Sequence, residues 1–207
     1  MFELNSLDKV NVQEVAGTRL YIKDNFYKNP NEVVDVLHRT QSNYWKSWDR
    51  PSFNGIHFAD KRHDFYSEDL LEVNRQLEDI CGQKTAQPGQ VVTNCIQFFD
   101  RSFNDYENNY WGPHEDLGYT ALIYLNDFDC PGTNFYTRLK EDVWETPEHF
   151  EPWRSKEKFE ILHTVESKYN RMVLFDGKAL THGMAIDNGL FFDTMRINQA
   201  IFFNADF

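Results

Sequence analysis

Residues 119–137 read Tyr-Thr-Ala-Leu-Ile-Tyr-Leu-Asn-Asp-Phe-Asp-Cys-Pro-Gly-Thr-Asn-Phe-Tyr-Thr. Tyr119–Asn126 is a run of aromatic, aliphatic and β-branched residues of strand length, Pro131-Gly132 makes a turn, and Thr133–Thr137 resumes as a short strand. The same texture begins after Pro88-Gly89 and recurs at Val91–Asp100, Ile161–Val165, Arg171–Phe175, Thr181–Ile186 and Thr194–Phe203. Seven such runs without helices of ordinary length between them argue against a parallel βαβ sheet. They predict an antiparallel sandwich or barrel, mainly β with helices packed outside.

Upstream the reading is richer in helix. Thr18–Asp24 alternates like a strand, but Asn29-Pro30-Asn31-Glu32 is a helix start followed by Val33, Val34 and Leu37. Leu70, Leu71, Val73, Leu77 and Ile80 recur at spacings of three and four, which predicts a second helix over Ser67–Ile80. One domain is expected over 1–207, with a helix-rich support over 1–90 and a β-roll core over 91–207. Leu139–Glu160, charged and carrying two prolines and two tryptophans, interrupts the core and reads as a lid or binding loop, or as a solvated surface helix.

Composition narrows the classes. The chain has 207 residues, 41% of them hydrophobic and 16% aromatic, which excludes a disordered or low-complexity protein. Its formal charge of −12 repels phosphate backbones and anionic lipids, making nucleic acid and membranes poor partners. No apolar run approaches the roughly 18 residues of a membrane span. The N-terminal Met1-Phe2-Glu3-Leu4-Asn5 lacks a secretory pattern, and Cys81, Cys95 and Cys130 form no CxxC pair. A cytoplasmic location with free thiols is the expectation.

The chemistry concentrates at Trp111-Gly112-Pro113-His114-Glu115-Asp116-Leu117-Gly118. In extended backbone, residues i and i+2 face one side, so His114 and Asp116 point together and Glu115 points away. His182, in Leu180-Thr181-His182-Gly183, follows after 182 − 114 = 68 residues, a separation over which a sandwich returns to the same end of its sheets. Two imidazoles and a carboxylate on one face of a metal leave adjacent positions open, an arrangement suited to non-heme Fe(II) and oxygen. Arg196 and Asn198 share a face of the last, otherwise apolar strand. A guanidinium there needs an anion, and its fork matches a carboxylate.

The other histidines, His57, His63, His149 and His163, have no partner at a ligand spacing and read as ordinary. Phe98-Phe99, Phe191-Phe192 and Phe202-Phe203 read as core. Tyr110 and Trp111 stand at the mouth of the expected site, and Gln97 precedes them; all three are weaker candidates for substrate contact. No G-x-S-x-G elbow, HExxH helix or phosphate-binding loop occurs.

The order H-x-D, Tyr124-Leu125-Asn126, Gly132-Thr133-x-Phe135-Tyr136, Leu174-Phe175-Asp176-Gly177, a distal histidine and then Arg196 resembles the iron(II)- and 2-oxoglutarate-dependent oxygenases. Within them it is most similar to the prolyl-hydroxylase-like branch, including short oxygenase-like proteins with a GT-x-FY turn. The resemblance covers Val91 to Phe203. It implies a double-stranded β-helix, or cupin-like jelly roll, with His114, Asp116 and His182 as Fe(II) ligands and catalytic centre. Arg196 becomes the anchor of 2-oxoglutarate, while Asn198, Tyr124 and Thr133 complete its pocket. Asn198 stands where such enzymes commonly have a hydroxyl, and Arg196 where that branch commonly has a lysine. The implied reaction uses dioxygen and decarboxylates 2-oxoglutarate to succinate while hydroxylating a small molecule, a peptide or a protein side chain. Halogenating relatives have a small residue in place of Asp116. A non-catalytic jelly roll with a structural or sensory metal is the alternative, and a metal-free β-sandwich the third reading.

Overall fold

A computed structural model of the chain describes residues 2–39, 46–47, 58–65, 68–83, 90–98, 105–139, 153–186 and 188–203. In chain order the elements are β1 (Asn11–Val15), β2 (Thr18–Lys23), α1 (Pro30–Arg39), β3 (Lys46–Ser47), β4 (Phe58–Phe65), α2 (Glu68–Cys81), β5 (Gln90–Phe98) and β6 (Asn109–Trp111). They continue with β7 (Tyr119–Tyr124), β8 (Thr133–Arg138), β9 (Trp153–Ser155), β10 (Phe159–Val165), β11 (Arg171–Asp176), β12 (Thr181–Met184), α3 (Leu190–Asp193) and β13 (Arg196–Phe203).

The strands form an eight-stranded sheet, β1-β2-β11-β7-β13-β5-β4-β3, a three-stranded sheet, β10-β8-β12, and a two-stranded ribbon of β6 and β9. Every ladder among the described residues is antiparallel. The large sheet is covered on both faces, which is why its central strands read as unbroken apolar runs rather than clean alternations. On one face Ala121, Ile123, Met172, Leu174, Ile201 and Phe203 pack with Val33 of α1 and with Val73 and Leu77 of α2. On the other, Tyr124, Val173 and Phe175 meet Phe135 of β8 and Val165 of β10 from the small sheet. Each such aliphatic or aromatic side chain contributes about 1.5–3 kcal/mol by leaving water.

Strands form within each run expected in the core, with Tyr119–Asn126 ending early at Tyr124, Thr181–Ile186 at Met184, and the last strand beginning at Arg196 instead of Thr194. In the first 90 residues the expected strand β2 and helices α1 and α2 are joined, among the described residues, by β1, β3 and β4, which the sequence reading did not place and which extend the large sheet. Phe-Ala-Asp-Lys-Arg-His-Asp-Phe of β4 is dominated by charge. Its strand state follows from pairing with β5 over eight residues, a tertiary contact that propensity does not encode. Most of the expected lid, residues 140–152, lies outside the described residues, as do His57, His149 and Phe99. No helix among the described residues is long and apolar enough to cross a membrane.

One tie locks the N-terminal strands to the core. Asn170 adopts a left-handed backbone (φ 60°), which its short side chain tolerates. That side chain accepts from Tyr27 N at 2.9 Å and donates to Tyr27 O at 2.8 Å across 143 residues of sequence.

Candidate active site

The loop between β6 and β7 carries His114 and Asp116, and β12 carries His182. The loop runs alongside β12 at one point, where His114 and His182 exchange backbone hydrogen bonds of 2.9 and 2.8 Å. That close approach depends on Gly183: a Cβ there would lie 2.6 Å from Trp111 O. A second tether holds the far end of the loop, with Asp116 N donating to Gly177 O and Gly177 N to Gly118 O, both at 2.9 Å. A Cβ on Gly177 would stand 2.7 Å from Asp116 Cβ and 2.8 Å from Thr120 Oγ1, so the glycine of Asp176-Gly177 makes room for the carboxylate.

These tethers bring the three side chains together. One donor atom from each of His114, Asp116 and His182 lies within 4.8 Å of the other two. His114 Nε2 is 3.6 Å from Asp116 Oδ1, and His182 Nε2 is 3.2 Å from Asp116 Oδ2. Donors about 2.1 Å from a common ion and at right angles to each other stand about 3 Å apart, so the spacing fits neighbouring positions around a metal. Both Nδ1 atoms face backbone carbonyls, Gly112 O at 2.6 Å and Leu180 O at 2.9 Å. A carbonyl only accepts, so the Nδ1 atoms carry the protons and both Nε2 atoms are directed at Asp116. Thr120 donates to Asp116 Oδ2.

Burial by itself would push the Asp116 carboxyl up. The hydrogen bond from His182, the charges of His182 and His114 and the Thr120 hydroxyl outweigh it, holding Asp116 at about 2. The site therefore keeps an anion between two imidazoles, and a divalent cation would satisfy the same three groups.

Arg196 occupies a second cluster. The β13–β7 register sets Asn198 opposite Tyr124, and Arg196 and Asn198 share a face of β13 as the sequence predicts. Arg196 is 5% exposed. Its Nη1 donates to Asn198 Oδ1 at 2.8 Å, its Nη2 contacts Gly132 O at 3.4 Å, and its guanidinium lies 5.8 Å from the Tyr124 ring centre. Tyr124 in turn donates to Thr133 Oγ1 at 2.7 Å. Arg196 Nε is buried without a hydrogen-bond partner, and no carboxylate among the described residues pairs with the side chain. Burial lowers its pKa, with Tyr124 and Cys130 opposing. A buried cation without an anion is costly, and a ligand carboxylate would meet that need.

Strand β8 borders both clusters, with Thr133 in the Arg196 cluster and Phe135 opposite His182. Across from β12, His182 pairs with Phe135 and Met184 with Thr133. Thr133 and Phe135 are on one face of β8, two residues and about 7 Å apart. The His182 ring is edge-on to Phe175 at 4.6 Å, which fixes its plane.

Tyr110 packs on Tyr136 at 4.9 Å, and half-buried Trp111 meets Trp153 edge-on at 5.1 Å. The end of the charged insertion thus pairs with the strand just before His114. The Gln97 and His63 side chains lie outside the described residues, and His163 stands apart from the three converging groups, 6.4 Å from Phe135. Sequence reasoning missed Thr120, Gly177 and the carbonyls of Gly112 and Leu180. Thr120 sits in a strand-forming run and carries no signal of its own, and carbonyl acceptors are invisible in a sequence.

The sequence matches no protein-family model and no curated protein. Among solved structures, it is similar to a protein of Shewanella oneidensis assigned as an oxygenase, at 10% identity and a TM-score of 0.51, covering 90% of this chain and 82% of the other. The chain shares that oxygenase's fold. A prolyl-4-hydroxylase of Pseudomonas putida matches at 11% identity and a TM-score of 0.46, over 88% of this chain and 91% of that one. The Fe(II)/α-ketoglutarate-dependent dioxygenase TqaL matches at 12% and 0.38, over 82% and 73%. Only the first overlays closely enough to speak for the fold.

Proposed function

We propose that this chain is an Fe(II)- and 2-oxoglutarate-dependent dioxygenase, a hydroxylase built on a double-stranded β-helix. The supporting observation is the presence of two incomplete sites: three convergent candidate metal donors, and a buried guanidinium without an anionic partner among the described residues. His114, Asp116 and His182 would hold the iron from one side, leaving adjacent positions for a keto acid and dioxygen. When bound there, iron(II) supplies the redox chemistry that couples decarboxylation of 2-oxoglutarate to oxidation of a C–H bond.

The chain's own residues contribute positioning. Gly112 O and Leu180 O fix the imidazole tautomers, and Thr120 fixes one carboxylate oxygen of Asp116. Arg196 would take the far carboxylate of 2-oxoglutarate with Asn198 orienting its fork, and the Tyr124–Thr133 pair would border the chain of the cosubstrate. Phe135, Phe175 and Tyr124 exclude water around these groups. Asp116 would take the place that a small residue leaves to a halide in halogenating relatives, which favours hydroxylation. The substrate is a small molecule or a protein side chain.

The test is anaerobic thermal unfolding with ligands. Fe(II) and 2-oxoglutarate together should raise the melting temperature beyond Fe(II) alone, by the equivalent of about 2.7 kcal/mol at a hundredfold excess over Kd. His182→Ala should remove the effect of both. Tight Zn(II) binding with no response to 2-oxoglutarate would replace this reading with a non-catalytic metal protein.

A further inference from the structure

We propose that Glu115 and Thr181 form an outer clamp that positions the metal ligands, so that Glu115, which touches no reacting atom, sets metal affinity and geometry as a positioning residue. The inference rests on the oxygenase reading above and extends it to a side chain facing away from the metal.

Glu115 stands between His114 and Asp116, and Thr181 immediately precedes His182. In extended backbone the neighbours of an inward-facing residue face outward. Glu115 and Thr181 therefore emerge on the opposite side from the ligands, and there they meet: Thr181 Oγ1 donates to Glu115 Oε1 at 2.7 Å. The same oxygen takes an ion pair from Arg138 Nη2 at 3.0 Å, at the end of β8. His114 and His182 are thus joined by backbone between them and by a charge-assisted hydrogen bond behind them. Rotating either segment about its axis, the motion that would separate the donors, must break the outer bond. The loop has need of this restraint: it is not a strand, and His114 is 35% exposed.

The Arg138–Glu115 pair is itself partly exposed, 29% and 42%, so its own contribution is small. The hydroxyl–carboxylate bond is the element to test. The full chain is titrated with Co(II), whose ligand-field absorption reports coordination geometry without redox chemistry, and metal-free melting is measured alongside. Thr181→Val and Glu115→Ala should weaken Co(II) binding about 10- to 100-fold and shift the spectrum, and Thr181→Ser should restore both. Glu115→Ala, at a half-exposed position, should stay folded without metal and keeps the test alive should Thr181→Val misfold.

The clamp is overturned if Glu115→Ala binds Co(II) with wild-type affinity and spectrum, or if Thr181→Ser is as weak as Thr181→Val, which would assign the effect to packing. Failure of the wild-type chain to bind Co(II) would instead remove the oxygenase reading and this inference with it.

Discussion

The imidazole–carboxylate end and the guanidinium end of the site stand on different kinds of backbone. His114 and Asp116 lie in a loop, and His182 lies on a four-residue strand at the border of the small sheet. Arg196, Asn198 and Tyr124 lie on central strands of the large sheet, each 5% exposed or less. At the imidazole–carboxylate end, an anion has two imidazoles of the protein beside it. At the anchor end a cation is buried without an anion among the described residues. Removing a group from the first should therefore cost both the fold and the ligand, whereas removing the cation from the second should cost the ligand alone.

The largest expected effect breaks this contrast most directly. Arg196→Met should lower 2-oxoglutarate affinity by about 2–5 kcal/mol, roughly 30- to several thousand-fold, when titrated calorimetrically with metal present. The metal-free variant should melt no lower than the wild type, because an apolar side chain of similar volume replaces an uncompensated charge. A fall in stability with unchanged affinity would reverse the roles of the two ends.

The metal end should show an acid dependence. Asp116 is held at about 2 against an ordinary 3.8, so its ionised form stabilises the metal-free fold above pH 4. That contribution, on the order of 2 kcal/mol, is lost as pH falls from about 4 to about 2. Asp24, bonded to Arg171 and Lys168 and also held at about 2, titrates in the same window. The difference between wild type and Asp116→Asn is therefore the readout: the variant should start less stable at pH 6 and lose less on acidification. Parallel curves for the two proteins would deny Asp116 its balancing role.

A smaller effect sharpens the anchor end. Tyr124→Phe removes the 2.7 Å bond to Thr133 and should reduce stability by about 0.5–1.5 kcal/mol in denaturant titrations. Its effect on 2-oxoglutarate affinity should stay well below that of Arg196→Met, since it deletes a neutral bond rather than the charge.

Much of the β-rich core was legible because burial on both faces of the large sheet demands continuous apolar runs, and β7, β11 and β13 carry them. The spacing His114-x-Asp116 was legible for a local reason, the two-residue period of extended backbone. Strand β4 was not, since its residues are mainly charged and its partner β5 lies beyond α2. Glu115 was readable as facing away but not as bonded, because its partners Thr181 and Arg138 are 66 and 23 residues distant.

Residue chemistry and short-range periodicity thus determined, without any coordinates, that His114 and Asp116 face one way and that Arg196 and Asn198 share a face of the last strand, which made them candidates for a metal and a carboxylate. The tertiary structure alone decided that His182 crosses back onto His114, that Gly177 yields space to Asp116, and that Arg196 is buried without an anionic partner among the described residues. Those outcomes depend on strand pairing across long separations and on steric fit between distant backbones, neither of which a linear pattern encodes.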